Sequence, residues 1–107
     1  MKIAQSAKYQ GNDWWEWAVW IDAKPEEIKS IQSVAYTLHP SFRDPIRTVT
    51  DRRSKFRLES EGWGGFIIAA RVESKDGKSH LLKRELELYY PEAERDAKSS
   101  KPPKSTK

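Results

Sequence analysis

The chain has 107 residues, 36% apolar and 34% charged, with a formal net charge of +4 and no cysteine, which suits a single globular domain. The missing cysteines exclude disulfides and thiolate metal sites, and with them a disulfide-dense secreted scaffold. No run approaches the ~20 apolar residues of a membrane span, and Met1 to Lys8 holds no apolar stretch of the signal-peptide kind, so the expectation is a cytoplasmic protein with no membrane contact.

In chain order, strand signals dominate. Residues 2–9 alternate, with Ile3, Gln5, Ala7 and Tyr9 on one face, and a turn follows at Gly11-Asn12-Asp13. From Trp14 to Asp22 the period of two is clean: Trp15, Trp17, Val19 and Ile21 share one face, and Trp14, Glu16, Ala18, Trp20 and Asp22 share the other. Four of the five tryptophans fall within these positions, and each large ring can bury roughly 150–250 Å², so this strand supplies much of the core. Lys24 to Lys29 reads as a turn or one helical turn, with Pro25 suited to a first helical position. A strand is expected from Ile31 to Leu38, then a proline-bounded loop from His39 to Pro45.

Short strands are expected over 48–51 and 55–59, a second loop over Glu61-Gly62-Trp63-Gly64-Gly65, and a longer strand from Phe66 to Glu73. Asp76-Gly77 gives a hairpin turn. Ser79 to Leu88 closes the sheet, with Leu82, Leu86 and Leu88 inward and Lys83, Glu85 and Glu87 outward. Seven or eight short strands without a long helix predict an all-β, immunoglobulin-like antiparallel sandwich, with a small closed barrel as the alternative. The expected division is a sandwich domain over 1–90 and a basic, disordered tail over 91–107, where Glu, Lys, Ser and Pro leave little to bury. That tail holds five bases and three acids. The remaining charge is interleaved in sign along the chain, a solvated surface, so nucleic-acid binding is not expected.

Catalytic patterns are absent. His39 stands two residues from Ser41, yet no acid is placed to orient the imidazole and no strand–turn–helix elbow surrounds the serine. Two distant histidines, His39 and His80, do not make a metal site. Gly62-Trp63-Gly64-Gly65 precedes a strand and not a helix, so no helix N-terminus would face a phosphate. A non-enzymatic binding module without metal or cofactor is the expectation.

Two loops carry more information. Phe42 sits in a polar, proline-bounded loop, and Trp63 is flanked by glycines that let another backbone or a ligand approach closely. Capping of the sandwich core by these rings is the plainer account. Asp13-Trp14, the run Val34-Ala35-Tyr36-Thr37-Leu38-His39-Pro40-Ser41-Phe42 with Pro45, Gly62-Trp63-Gly64-Gly65-Phe66 and the closing Leu82 to Leu88 together resemble the YEATS family, most closely its prokaryotic branch, from about residue 3 to residue 90. The resemblance implies the same sandwich and a reader of acylated lysine of acetyl or crotonyl type, or of a similar flat neutral group, on a protein partner. It implies that Phe42 and Trp63 wall an aromatic slot and that Ser41 hydrogen-bonds the acyl-amide. Backbone N–H groups at Trp63 and Gly64 would add donors, and His39 would support the first loop. An acylated lysine is neutral and flat where it meets the rings, whereas an ammonium must shed water to enter. The alternative is an adaptor module of a prokaryotic signalling or defence system that docks a protein without reading a modified lysine.

Overall fold

The computed structural model describes residues 1–91. The tail expected from Pro91 onward, and with it the boundary of the folded domain, therefore lies outside the described residues, Pro91 itself excepted. Among the described residues the chain forms seven strands: β1 (Lys2–Gly11), β2 (Trp14–Asp22), β3 (Ile31–Thr37), β4 (Ile46–Val49), β5 (Leu58–Gly62), β6 (Ile67–Ser74) and β7 (Ser79–Glu85). A six-residue helix, α1 (Pro25–Ser30), joins β2 to β3. They build two antiparallel sheets, β1-β2-β5 and β4-β3-β6-β7, so the sandwich is correct and the closed barrel is not.

The alternation in β2 decides which face is core. Trp15, Trp17, Val19 and Ile21 are all buried, and the last three share one core cluster with Val34, Tyr36, Ile68, Ala70 and Val72 from the other sheet. Burying side chains of this size contributes about 1.5–3 kcal/mol each. In β7 and the segment after it, Leu82, Leu86 and Leu88 face inward as expected.

One inward residue of β1 is polar. Gln5 carries its side-chain amide to the segment after β7, where Nε2 donates to the Glu87 carbonyl and Oε1 accepts from the Glu87 N–H, both at 2.8 Å. Oε1 also accepts from Arg84 Nε at 3.1 Å. A side chain thus supplies the pairing that a neighbouring strand would otherwise give, and it fastens the edge of one sheet to the other.

The expected positions of β4 and β5 are corrected: they run over Ile46–Val49 and Leu58–Gly62, not 48–51 and 55–59. The cause is the connection between them. The Asp51 side chain accepts from Arg53 N–H and starts a short 3-10 turn, Arg52–Ser54, after which Lys55 and Phe56 both take left-handed backbone. That turn swallows the residues expected to open β5. Phe56 is completely buried, and its carbonyl accepts from the Tyr36 hydroxyl at 2.7 Å. β7 also stops at Glu85, three residues short of the expected end, because from Leu86 the chain pairs with Gln5 and Phe66 and not with β6.

The antiparallel register sorts the connections to two ends. The β1–β2 turn, the β3–β4 loop, the β5–β6 loop and the exit from β7 lie at one, here the upper end. Residues 22–30, 50–57 and 74–79 lie at the lower end, where Ile21 N–H donates to Lys55 and Lys75 N–H to Ser30.

Candidate functional site

The two loops singled out in the sequence meet at the upper end. The first is closed at its base by the Leu38 N–H donating to the Pro45 carbonyl at 2.7 Å, with Leu38 itself in the core. The His39 carbonyl then accepts from Phe42 N–H at 2.9 Å. His39 Nδ1 accepts from Ser41 N–H at 3.1 Å and lies 2.9 Å from Ser41 Oγ. An Nδ1 that accepts a backbone N–H carries no proton, which leaves the ring proton on Nε2. From β4, Arg47 clamps the loop's far side through the carbonyls of Asp44 and Arg43, at 2.6 and 2.8 Å.

Phe42 is half-buried. Its ring makes an edge contact with Trp17 at 6.1 Å and a tilted contact with Phe66 at 5.3 Å between centroids. His39 and Trp17 also stand edge-on to Phe66, at 6.2 and 5.9 Å. The loop aromatic is therefore seated on two rings of the sandwich, within the range where edge-to-face pairs attract by about 0.5–1.5 kcal/mol. Trp17 Nε1 is buried with no hydrogen-bond partner among the described residues, and edge-on rings are the neighbours that can receive such an N–H weakly.

The second loop shows why three glycines stand in four positions. Gly62 is buried opposite Trp15, and a Cβ there would lie 3.9 Å from Phe42 Cζ and 4.0 Å from Trp17 Nε1. The tip of Phe42 thus reaches the residue next to Trp63. A Cβ at Gly64 would meet nothing within 4 Å, whereas one at Gly65 would fall on the carbonyl oxygen of Leu86. Gly65 is thereby required by backbone packing, and Gly64 borders open space. Trp63 is 74% exposed.

Of the expected site residues, His39, Ser41 and Phe42 are tied into one hydrogen-bonded loop, and Trp63 with Gly64 sits on the adjoining one. Among the described residues no ring contact joins Phe42 to Trp63. Sequence reasoning missed Trp17 and Phe66, the rings that carry Phe42. Their signal was present in the alternation of β2, where Trp17 was read only as core, and in the Gly-Gly-Phe run, where Phe66 was read only as the start of a strand and the end of a motif. It also missed a second cluster at this end: Tyr9, Trp15 and Tyr90 lie within 5.0–5.3 Å of one another, and the Tyr90 hydroxyl donates to Asp13 at 2.6 Å. No group of three metal-ligating side chains exists among the described residues, and no helix there is long and apolar enough to cross a membrane.

Comparison with known proteins bears on this geometry. The chain is 29% identical to transcription initiation factor TFIID subunit 14 of Schizosaccharomyces pombe, over 81% of its own length and 39% of that protein. It is also 29% identical to TFIID subunit 14b of Arabidopsis thaliana, over 92% of its length and 37% of the relative. The chain thus spans less than two fifths of these curated relatives. Among solved structures it superposes on the Yaf9 YEATS domain recognizing an H3K122suc peptide (TM-score 0.69, 22% identity, 81% of this chain and 69% of that one). It likewise superposes on the Yaf9 YEATS domain bound to H3K27ac (0.69, 23%, 86% and 72%), and at this identity the likeness speaks for the fold. The model of the prokaryotic YEATS domain matches residues 15–87, a stretch that contains both loops, β3 to β7 and all of β2 but Trp14, and the chain belongs to that family.

Proposed function

We propose that this domain is a non-catalytic recognition module that binds a lysine acylated with an acetyl- or crotonyl-type group on a partner protein. The observation that carries the reading is the meeting of the His39–Ser41–Phe42 loop with Trp63-Gly64 beside open space. Ser41 Oγ, held 2.9 Å from His39 Nδ1, keeps a lone pair with which to accept the amide N–H of the acyl-lysine. Phe42, braced by Trp17 and Phe66, is the fixed wall. Trp63, exposed in the free domain, is the mobile one and closes over the acyl group. Its own N–H and that of Gly64 would meet the acyl carbonyl.

Two aromatic contacts at about 0.5–1.5 kcal/mol each and two hydrogen bonds at about 0.5–1.5 kcal/mol each total roughly 2–6 kcal/mol. Millimolar affinity alone needs about 4 kcal/mol. Peptide flanks must therefore contribute. The Yaf9 YEATS domain recognizes an H3K122suc peptide and binds H3K27ac, which supports the class of ligand here, and a cytoplasmic setting would supply acylated proteins.

NMR titration with acetyl-lysine, crotonyl-lysine and unmodified peptides tests the reading. Shifts are expected at Phe42 and Trp63 with the acylated peptides, and Phe42→Ala or Trp63→Ala should weaken binding at least tenfold. Equal binding of the unmodified peptide would sink it. One observation favours a second reading: Phe42 lies against the core and no ring stacks on it from Trp63. In that case the same surface docks an unmodified partner protein as an adaptor, and the acyl group makes no difference to affinity.

A further inference from the structure

The lower end of the sandwich presents a different chemistry. Its three connections, residues 22–30, 50–57 and 74–79, carry eight basic residues against five acidic ones, whereas the rest of residues 1–91 carries seven against eight. Folding gathers what the sequence interleaves. Lys24 and Lys29 come from the first connection, Arg52, Arg53 and Lys55 from the second, and Lys75 and Lys78 from the third, and all seven are exposed. The bonds from Ile21 to Lys55 and from Lys75 to Ser30, at 2.9 and 2.8 Å, hold the three connections side by side. Among the described residues the ion pairs are Arg57–Glu59 and Arg71–Glu73, so none of these seven bases is matched by a carboxylate. Three of the five acids are turned back on the chain: Glu27 accepts from Lys24 N–H, Asp51 from Arg53 N–H and Asp76 from Lys78 N–H, at 3.0–3.1 Å.

We propose that this end docks the phosphate backbone of double-stranded nucleic acid without reading its sequence. The partner must be recognised by charge, because the exposed large apolar residues are Trp14, Ile46, Trp63, Ile67, Leu81 and Tyr89, all elsewhere, and Met1. A membrane surface would need apolar side chains to insert, and a protein partner would need a buried aromatic or aliphatic anchor. Single strands are held by stacking on exposed rings; at this end Phe56 is buried and Trp20 is half-buried with the Arg57 guanidinium 5.1 Å above it, which leaves the small imidazole of His80, just past the third connection, as the exposed ring. A regular array of phosphates asks only for exposed bases on a rigid frame. The site is independent of the upper end, and a module carrying both would grip a modified protein and the nucleic acid beside it.

The test uses the full chain and a fluorescent 20-base-pair duplex, followed by anisotropy across salt concentrations. Engaging about four phosphates predicts a log–log salt slope of about −3.6, hence a weakening of about 150-fold between 50 and 200 mM salt. The triple variant Arg52→Glu, Arg53→Glu, Lys55→Glu alters exposed side chains only, and Lys55 keeps a backbone that glutamate adopts no less readily than lysine. It should lose at least tenfold in affinity and flatten the slope by about 2.7, with an unchanged melting temperature. A second variant, with Lys98, Lys101, Lys104 and Lys107 replaced by glutamine, should retain most of the binding. The proposal is overturned if the duplex does not bind, if the tail variant loses binding while the triple variant keeps it, or if poly-glutamate or anionic vesicles compete as well as duplex at equal charge.

Discussion

Single residues at the upper end separate what packing demands from what a ligand would use. A methyl at position 65 has no room beside the Leu86 carbonyl, whereas one at position 64 has open space. Gly65→Ala should therefore cost about 1–3 kcal/mol, and Gly64→Ala should leave stability within about 0.5 kcal/mol; thermal melts of the two variants check the contrast. Tyr36 makes a second residue-scale case. Its buried hydroxyl donates to Phe56, and burial pushes its phenol well above the ordinary tyrosine value. The unfolded chain then releases this proton first, so stability is complete below the unfolded tyrosine pKa of about 10 and falls as pH rises above it. Tyr36→Phe should cost about 1–3 kcal/mol at neutral pH by orphaning the Phe56 carbonyl and should flatten the alkaline limb of a stability–pH profile. Phe42 was legible as a loop aromatic with a purpose, yet the direction of its ring was not, since Trp17 and Phe66 lie 25 and 24 positions away in the chain.

At the scale of elements, periodicity was the dependable guide. The period of two in β2 placed Trp15, Trp17, Val19 and Ile21 inward, and all four are buried. Asp76-Gly77 marked the β6–β7 hairpin, where Gly77 has a left-handed φ of +89°. The β4–β5 connection was illegible for a definite reason. Its course depends on successive left-handed residues, Lys55 and Phe56, and neither residue type advertises that backbone. Pinning from a partner twenty residues upstream, Tyr36, holds Phe56 there. The pairing of Gln5 with Glu87 spans 82 residues, and in the sequence it left only an unexplained polar residue in an apolar row. Gln5→Leu should remove all three bonds, cost about 1–3 kcal/mol, and raise the hydrogen-exchange rate of the Glu87 amide by at least tenfold, while the β6–β7 amides keep their protection.

For the whole molecule, the class and the sandwich followed from spacing and residue type, because the long strands alternate and every connection but the one between β4 and β5 is marked by glycine, proline or asparagine. The distribution of charge over the surface did not follow, since three connections far apart in sequence must first be brought together. The folded unit is expected to end near residue 90, where Tyr90 packs on Tyr9 and Trp15 and bonds Asp13. A fragment of residues 1–90 should melt within a few degrees of the full chain, and one of residues 1–85, which lacks Glu87, Tyr89 and Tyr90 and with them their bonds to Gln5, Trp15 and Asp13, should melt well below it.

The five tryptophans are graded in their access to water. Trp15 and Trp17 are 3% exposed, Trp14 is 38% exposed and Trp63 is 74% exposed. An aqueous quencher such as iodide will accordingly extinguish the red edge of the emission first, and most of that light comes from one indole at the rim of the upper loops. The protein therefore carries its own optical probe: whatever covers Trp63 will shift that emission to the blue and shield it, so occupancy can be followed without attaching a dye.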